Sequence, residues 1–548
     1  MAALRARRRG ARATLVSKES TPVGGAPVTA PGVLQALLNP ADDPDTFFND
    51  VMRGGAYLND PALVRILVER SALALERLQE YGVVLDPGCL DPAHLGRGEG
   101  HSVARGYYDR REMLGICVDL GRALASAGVD FHPETAVFRL FTSRGRITGA
   151  LAFHLPSGGL VLFQAPAVVL ATGGLGGLYE LSTNPRTLTG DGYALAWQAG
   201  AAVRDMEMIQ FLPLAFPYPE ARRGHNIGVC ALFGPRVRLL NAMGERFMER
   251  YDPERLELST RDVVARAIFN EVREGRGTPG GAVHLDPRDH DPAVRERFRV
   301  YHPHVHRMLG EVFGERAARW EEPFEVIPSQ HFCMGGVEID RHCCTAVPGL
   351  FAAGEVAGGV HGANRLVGDA LTEAFVFGDL AGESAAAWAH ERPGPEVDRA
   401  QVREAVEEVD ELWRASGAGS AAPRPCAVKQ MLRRTMWHHF GPMRDGWTMR
   451  EGLNRLHALQ RDTRAAPAPA GAGAPASAPV YHRERLDTLE ASLMLRTALL
   501  VAESALAREE SRGAHYRLDY PHTDERLGRT SIVLRRDRGE ITDGGGSR

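Results

Sequence analysis

An apolar run that breaks into glycine constrains this chain more than any other feature. Ala167 to Leu170 reads as a buried strand, and it opens directly into Ala171-Thr172-Gly173-Gly174, the start of the segment Ala171 to Gly177 (ATGGLGG). Residues without side chains at a strand end let backbone N–H groups approach a ligand closely. Two other segments share this chemistry and add an acid: Thr189-Gly190-Asp191-Gly192, and Gly349 to Gly359 (GLFAAGEVAGG) with Glu355. A dinucleotide needs close backbone approach at its pyrophosphate and a carboxylate for its hydroxyl groups, and Asp191 and Glu355 suit the second task. Gly-Asp-Gly alone is more often a turn. The three segments together point to an α/β, Rossmann-like nucleotide-binding fold.

The start of the chain supports that class. Met1 to Lys18 carries five arginines and no acid, as a transit peptide would, but Ala2 to Ala11 reads as a helix stopped by Gly10, and Ala13 to Ser17 as a buried strand. Helix, glycine, strand is half of a βαβ unit, and we favour that reading. A helix is expected to start at Asp42 to Asp45, and an amphipathic one from Pro61 to Tyr81. A β-meander is expected between Val129 and Gly174, helices at Thr260 to Glu274 and Pro292 to Phe313, strand-and-glycine character from His331 to Gly378, and polar, helical sequence from there to the end.

Composition excludes several partner classes. The chain has 548 residues, room for about three to four domains, and its 65 basic and 69 acidic residues leave a net charge of −4, so nothing calls for nucleic acid or an anionic membrane. Lysine occurs only at Lys18 and Lys429, so 63 of the 65 basic residues are arginine. Seven cysteines without a CxxC spacing supply no zinc or iron-sulfur ligand set and fit a reducing, cytoplasmic setting. No apolar stretch reaches the roughly 18 residues of a membrane span. His302, His304 and His306 alternate but follow a helical pattern and are read as solvated, with no metal site; Cys343-Cys344 is read as a turn and not a redox switch.

The run Ala353-Gly354-Glu355-Val356 followed by His361-Gly362-Ala363-Asn364-Arg365-Leu366 resembles the flavoprotein family of succinate dehydrogenase, fumarate reductase and L-aspartate oxidase. The resemblance continues, in the family's order, at Asp205 to Phe211 (DMEMIQF), Asn241 to Asp252 (NAMGERFMERYD), Arg261 to Val264 (RDVV), His331 to Gly336 (HFCMGG) and Glu510 to His515 (ESRGAH). It implies an FAD-binding domain in two pieces, residues 1–207 and 328–392, an inserted α+β capping domain at 208–327, and a C-terminal helical domain at 393–548 with flexible loops at 415–425 and 465–479. It implies an FAD-dependent oxidoreductase that transfers hydride between flavin N5 and a dicarboxylate or related acid. The residues that match the family's site are Arg261, His331 and Arg365, with Arg365 clamping a carboxylate, His331 helping to bind it and Arg261 exchanging the proton. The residues that match its cofactor site are Lys18, Gly24, Gly25, Thr172, Gly173, Gly174, Asp191, Glu355, Asn364, Arg365, Ala370 and Leu371. An iron-sulfur electron-transfer subunit is the implied partner, which would also account for any association with a membrane.

Four departures shape the expectation. Leu212 follows Gln210-Phe211 where the family usually has His, which removes one carboxylate partner. Val229 to Leu240 (VCALFGPRVRLL) lacks the family's Thr-Glu pair, and no His stands between Ser20 and Gly32, so FAD is expected to be noncovalent. The strand and GxGxxG turn that open a Rossmann unit do not precede Ala2, and a segment of about 25 to 30 residues is expected upstream, without which FAD binding would be poor. The leading alternative activity is L-aspartate oxidase, since Gly98-Glu99-Gly100-His101-Ser102 is similar to that enzyme's EGGHS with the Glu displaced by one position. A flavin-free inactive homologue is the second.

Overall fold

The computed structural model describes all residues except 31, 110, 393, 395, 416–422, 466–480, 538–539 and 544–548. The expected loops at 415–425 and 465–479 therefore lie mostly outside the described residues. Helix Ala2–Arg8 leads through Gly10 to the strand Thr14–Val16, which pairs in parallel with Asp130–His132. That helix lies against the long helix Asp369–His390 at a distance only glycine permits, since a Cβ on Gly382 would stand 2.3 Å from the Ala2 carbonyl oxygen. Helix Pro61–Glu80 buries Leu63, Val64, Leu67, Val68, Ala74, Leu75 and Leu78, the helical spacing read from its sequence.

The meander forms as expected from Thr135–Ser143, Arg146–His154 and Gly159–Gln164, antiparallel throughout. The next strand, Val168–Leu170, pairs in parallel with Leu350–Ala352 in the register Val168 to Leu350 and Leu170 to Ala352. Parallel neighbours end on the same side. Thr172-Gly173-Gly174 and Gly354-Glu355, more than 170 residues apart in sequence, thereby emerge next to each other.

Residues between the two halves build a separate unit. Its five-stranded sheet runs in the order Asn226–Gly228, Ile209–Ala215, Phe324–Cys333, Val283–Asp286 and Arg238–Leu240, around a core from Leu214 to Val326 that includes Phe233, Phe247, Ile268 and Trp320. Helix Arg261–Arg273 joins this core through Val264, Ala267 and Ile268. The ten-residue strand Phe324–Cys333 has one end in this sheet and the other at Glu355.

Two expectations are corrected. Pro292 to Phe313 is two helices, Pro292–Tyr301 and Pro303–Phe313, because Pro303 lacks an N–H and forces His302 out of the helical region, to φ −130 and ψ 54. The end of the chain is not all helical either. After helices Arg399–Ala415, Pro425–His439, Gly446–Ala465 and Arg483–Ala507, strand Val533–Asp537 pairs with Val203–Arg204 and with Glu540–Asp543. Leu534 is buried there, which a solvated helix would not achieve. Among the described residues no helix is long and apolar enough to cross a membrane, and no His/Cys/Asp/Glu group could hold a metal ion.

Candidate active site

The paired strand ends set one wall of the site. Glu355 projects against Gly174 so closely that a Cβ there would lie 2.0 Å from Glu355 Oε1. That oxygen accepts a hydrogen bond from the Cys333 amide at 3.0 Å, and burial pushes the carboxyl up to about 8. Thr172 meets the helix Asp191–Ala199 where a Cβ on Gly192 would stand 2.0 Å from its hydroxyl. Two helices here start at left-handed glycines without a side-chain cap, Asp191–Ala199 after Gly190 (φ 77) and Asp369–His390 after Gly368 (φ 85). The helices that begin at Pro44, Pro61 and Pro292 are instead capped by Asp43, Asp60 and Asp291. The uncapped first turns, which include Ala370 and Leu371, keep N–H groups available to an anion or a carbonyl oxygen.

The second acid of the constellation is held by a lysine. Lys18 Nζ lies 2.8 Å from Asp191 Oδ2 and donates to Thr189 Oγ1 at 2.7 Å and Glu490 Oε1 at 3.0 Å, while Thr189 donates to Asp191 Oδ1 at 2.7 Å. Burial opposes the charge, but Asp191 and Glu490 outweigh it and hold the ammonium pKa above its usual value. Lys429, the other lysine, binds the second oxygen of the same Glu490 and also Asp487 at 2.5 Å. Gly24 packs on Glu19, whose carboxylate accepts from Thr187, two residues before Thr189; Gly25 adjoins it at φ 72.

Opposite Glu355 stands a group of cations. Arg365 is buried, with its guanidinium 4.8 Å over the Phe332 ring; it donates to the Leu366 carbonyl at 3.0 Å and to Gln210 Oε1 at 3.1 Å, and its Nε has no partner. Burial and then the charge of Arg261 push its pKa down to about 9. Two other buried arginines are neutralised, Arg105 by Asp42 and Asp50 and Arg508 by Asp205, Glu207 and Glu510, whereas Arg444 is bonded to the Gly441 and Glu207 carbonyls and to His515. Arg365 forms no such ion pair among the described residues. His331 has Nδ1 2.8 Å from Thr183 Oγ1, and burial followed by repulsion from Arg365 and Arg261 holds its pKa well below the usual value, so the ring is neutral. Arg261 is the first residue of its helix, with Nε 3.3 Å from Glu99 Oε2. Two guanidiniums and a neutral imidazole around an unpartnered N–H suit a carboxylate ligand.

Residues that sequence reasoning did not list complete the site. Gln210 Nε2 donates to Asn364 Oδ1 at 2.8 Å and to the Arg365 carbonyl at 2.9 Å, so one amide orients both. Its signal was a fully buried polar residue inside the apolar strand Ile209–Ala215. Thr183 and Glu99 lie on loops and gave no periodic signal. Asp369 is buried with neither oxygen hydrogen-bonded, 3.7 Å from His101 Nε2, and burial pushes it up to about 8.

A family model described as an FAD binding domain matches residues 1–371, and one described as the fumarate reductase flavoprotein C-terminus matches 429–542. The chain belongs to the fumarate reductase and succinate dehydrogenase flavoprotein family. It is an FAD-dependent oxidoreductase. The chain is similar to one of the subunits of the fumarate reductase (CoM/CoB) of Methanothermobacter marburgensis, at 38% identity over 91% of this chain and 88% of the relative. It is also similar to the L-aspartate oxidase of Streptomyces coelicolor, at 33% identity over 97% and 89%. Among solved structures, Mycobacterium smegmatis Sdh1 in complex with UQ1 superposes with a TM-score of 0.85 at 33% identity, covering 98% of this chain and 90% of that one. Escherichia coli quinol fumarate reductase gives 0.86 at 28% identity, covering 99% and 94%. The Rossmann-like FAD domain and helical C-terminal domain of this flavoprotein are thus those of the family.

Proposed function

We propose that this flavoprotein interconverts an unsaturated and a saturated dicarboxylic acid of the fumarate and succinate type, in the pocket of Arg261, His331 and Arg365. The observation that carries the reading is the buried Arg365 guanidinium, without an ion pair among the described residues, with its Nε left without a partner inside the protein and Arg261 close enough to repel it. FAD, held noncovalently, supplies hydride chemistry at N5. Thr172, Gly173, Gly174, Asp191, Glu355, Asn364, Arg365, Ala370 and Leu371 hold it, with Lys18, Gly24 and Gly25 beside Asp191. The close approach allowed by the glycines, the uncapped helix starts and the buried acids fit such a ligand.

Arg365 fixes one carboxylate through its forked donors, and neutral His331 adds an uncharged hydrogen bond. Arg261 moves the proton at the reacting carbon. Leu212 puts an apolar side chain beside Gln210-Phe211, so the second carboxylate has fewer polar partners than in relatives with His there. Residues 208–327 act as the capping domain over an FAD domain formed by 1–207 and 328–392, with 393–548 packed behind. An iron-sulfur subunit exchanges electrons with this chain, in the cytoplasm or at a membrane the partner binds. Anaerobic oxidation of reduced methyl viologen on addition of fumarate tests the reading, and no fumarate-dependent rate in FAD-loaded protein would reject it.

L-Aspartate oxidation is the second reading, favoured by the Gly98 to Ser102 loop that sets Glu99 against Arg261. Aspartate-dependent peroxide formation in air would select it.

A further inference from the structure

We infer that this pocket also reduces 2-enoic acids that carry one carboxylate and an apolar far end, and that Leu212 is the residue that admits that end. The inference rests on the reading of Arg365 as the carboxylate clamp and names a further substrate class for the same site. Charge is the first observation. Arg365 forms no ion pair among the described residues, whereas Arg261 is paired with Glu99 at 3.3 Å and burial keeps His331 neutral. The acids that act on Arg365 are Asp369, Glu355 and Glu373. Burial pushes the first two up to about 8, so both stay protonated near neutrality, and Glu373 is bonded to His361 at 2.9 Å. One uncompensated guanidinium matches one carboxylate.

Leu212 opens on the same pocket. Side chains alternate along the strand Ile209–Ala215, so Leu212 leaves on the face of Gln210, which binds Asn364 and Arg365, while Phe211 turns the other way, to the rings of Tyr179 and Trp437. The facing strand carries a bulge here. Gln210 pairs with Phe332 and Phe211 with Gln330, which leaves His331 as the extra residue between them. Leu212 is 2% exposed, yet it belongs to no apolar cluster among the described residues, although Phe211 before it and Leu214 after it each join one. A leucine shielded from water that packs into no core lines a space left for a ligand.

The chemistry around that space is poor in donors. Leu212 stands where the family usually has His, and Cys230 lies in the segment that lacks the family's Thr-Glu pair. Burial, then the charges of Glu257 and Glu99, hold the Cys230 thiol protonated. An ionised carboxylate placed here exchanges water for an alkyl group, a neutral thiol and the like charge of Glu99, which is costly, whereas an alkyl group placed here gains by leaving water. Reduction keeps the balance of the fumarate reaction. Hydride from reduced FAD bonds to carbon 3 of the enoic acid, and the electron pair of the double bond takes a proton at carbon 2 from Arg261, which solvent restores. The products are a saturated monocarboxylic acid and oxidised FAD. Charge that builds up on the carboxylate as hydride arrives is held by Arg365.

The test compares crotonate with fumarate in FAD-loaded wild type and Leu212→His, by binding, read from the absorbance of the oxidised flavin, and by oxidation of reduced methyl viologen. Wild type is expected to bind crotonate at least as tightly as fumarate and to reduce it with kcat/KM within about tenfold of the fumarate value. Leu212→His should tighten fumarate and weaken crotonate by about tenfold each, at unchanged flavin content. Should that variant lose flavin, Leu212→Asn takes its place, and the wild-type comparison stands without either. Crotonate bound more weakly than fumarate by wild type, bound but not reduced, or shifted by Leu212→His to the same extent as fumarate would overturn the proposal. Fumarate reduction without crotonate reduction rejects the apolar subsite and leaves the dicarboxylate reading intact. Crotonate reduction without fumarate reduction rejects the dicarboxylate and keeps the subsite.

Discussion

Arg261, His331 and Arg365 come from a helix start, the end of a long strand and a loop, and His331 and Arg365 are placed by neighbours that carry no charge. Gln210 orients Arg365, Thr183 holds His331, and Glu99 holds Arg261. Arg261→Lys is expected to keep FAD and lose most turnover, because an ammonium has neither the forked geometry nor a second nitrogen for Glu99; activity within about twofold of wild type would remove Arg261 from the catalytic set. Asp369 offers a test without substrate. Its folded pKa of about 8 lies far above the usual carboxyl value, so the folded state keeps a proton that the unfolded chain releases, and stability falls as pH rises from about 4 towards 8. Asp369→Asn removes that penalty. Its gain in melting temperature should be larger at about pH 8 than at about pH 4, and an equal gain at both would show that Asp369 is not proton-bound. The motif residues of this site were legible in sequence because they sit in dense local patterns such as HGANRL. Thr183 was not, nor was the contact of Glu99 with Arg261, although the Gly98 to Ser102 motif was noticed, since loop contacts across 148 and 162 residues leave no periodic trace.

The strand ends were legible as elements, for an apolar run that stops at glycines has few other uses, and the parallel pairing of Val168–Leu170 with Leu350–Ala352 explains why two such runs were needed. The C-terminal hairpin was hidden because its few apolar residues, Ile532 to Leu534, sit among arginines, and only pairing with Val203–Arg204 gives them something to cover. The lysines show a residue choice made by an element junction. Where 63 cationic positions are arginine, Lys18 meets three acceptors at 2.7 to 3.0 Å around a single nitrogen, an arrangement a planar guanidinium cannot copy. Two of these acceptors belong to the turn into helix Asp191–Ala199 and the third to helix Arg483–Ala507, so the ammonium ties the C-terminal helices to Asp191. Lys18→Arg should lower stability by about 1 to 3 kcal/mol and speed flavin release. A melting temperature and release rate equal to wild type would show the ammonium is dispensable.

At the scale of the whole molecule, one strand does the joining. Phe324–Cys333 starts in the sheet of the inserted unit and ends with Cys333 bonded to Glu355, so His331 and Phe332 stand where that unit meets the paired strand ends. Arg261 arrives from the inserted unit and Arg365 from the other side, so a ligand held by both would lie between the two. The general architecture was readable because six motifs kept their order along the chain. The contacts across the boundary were not, because they depend on how the units pack. Whether Arg261, His331 and Arg365 bracket one dicarboxylate is decided by a crystal structure of the FAD-loaded protein soaked with fumarate. One carboxylate is expected within about 3 Å of Arg365 and His331, with a double-bond carbon facing the Arg261 guanidinium. Fumarate bound elsewhere, or with Arg261 turned away from it, would show that these three residues do not form the substrate pocket.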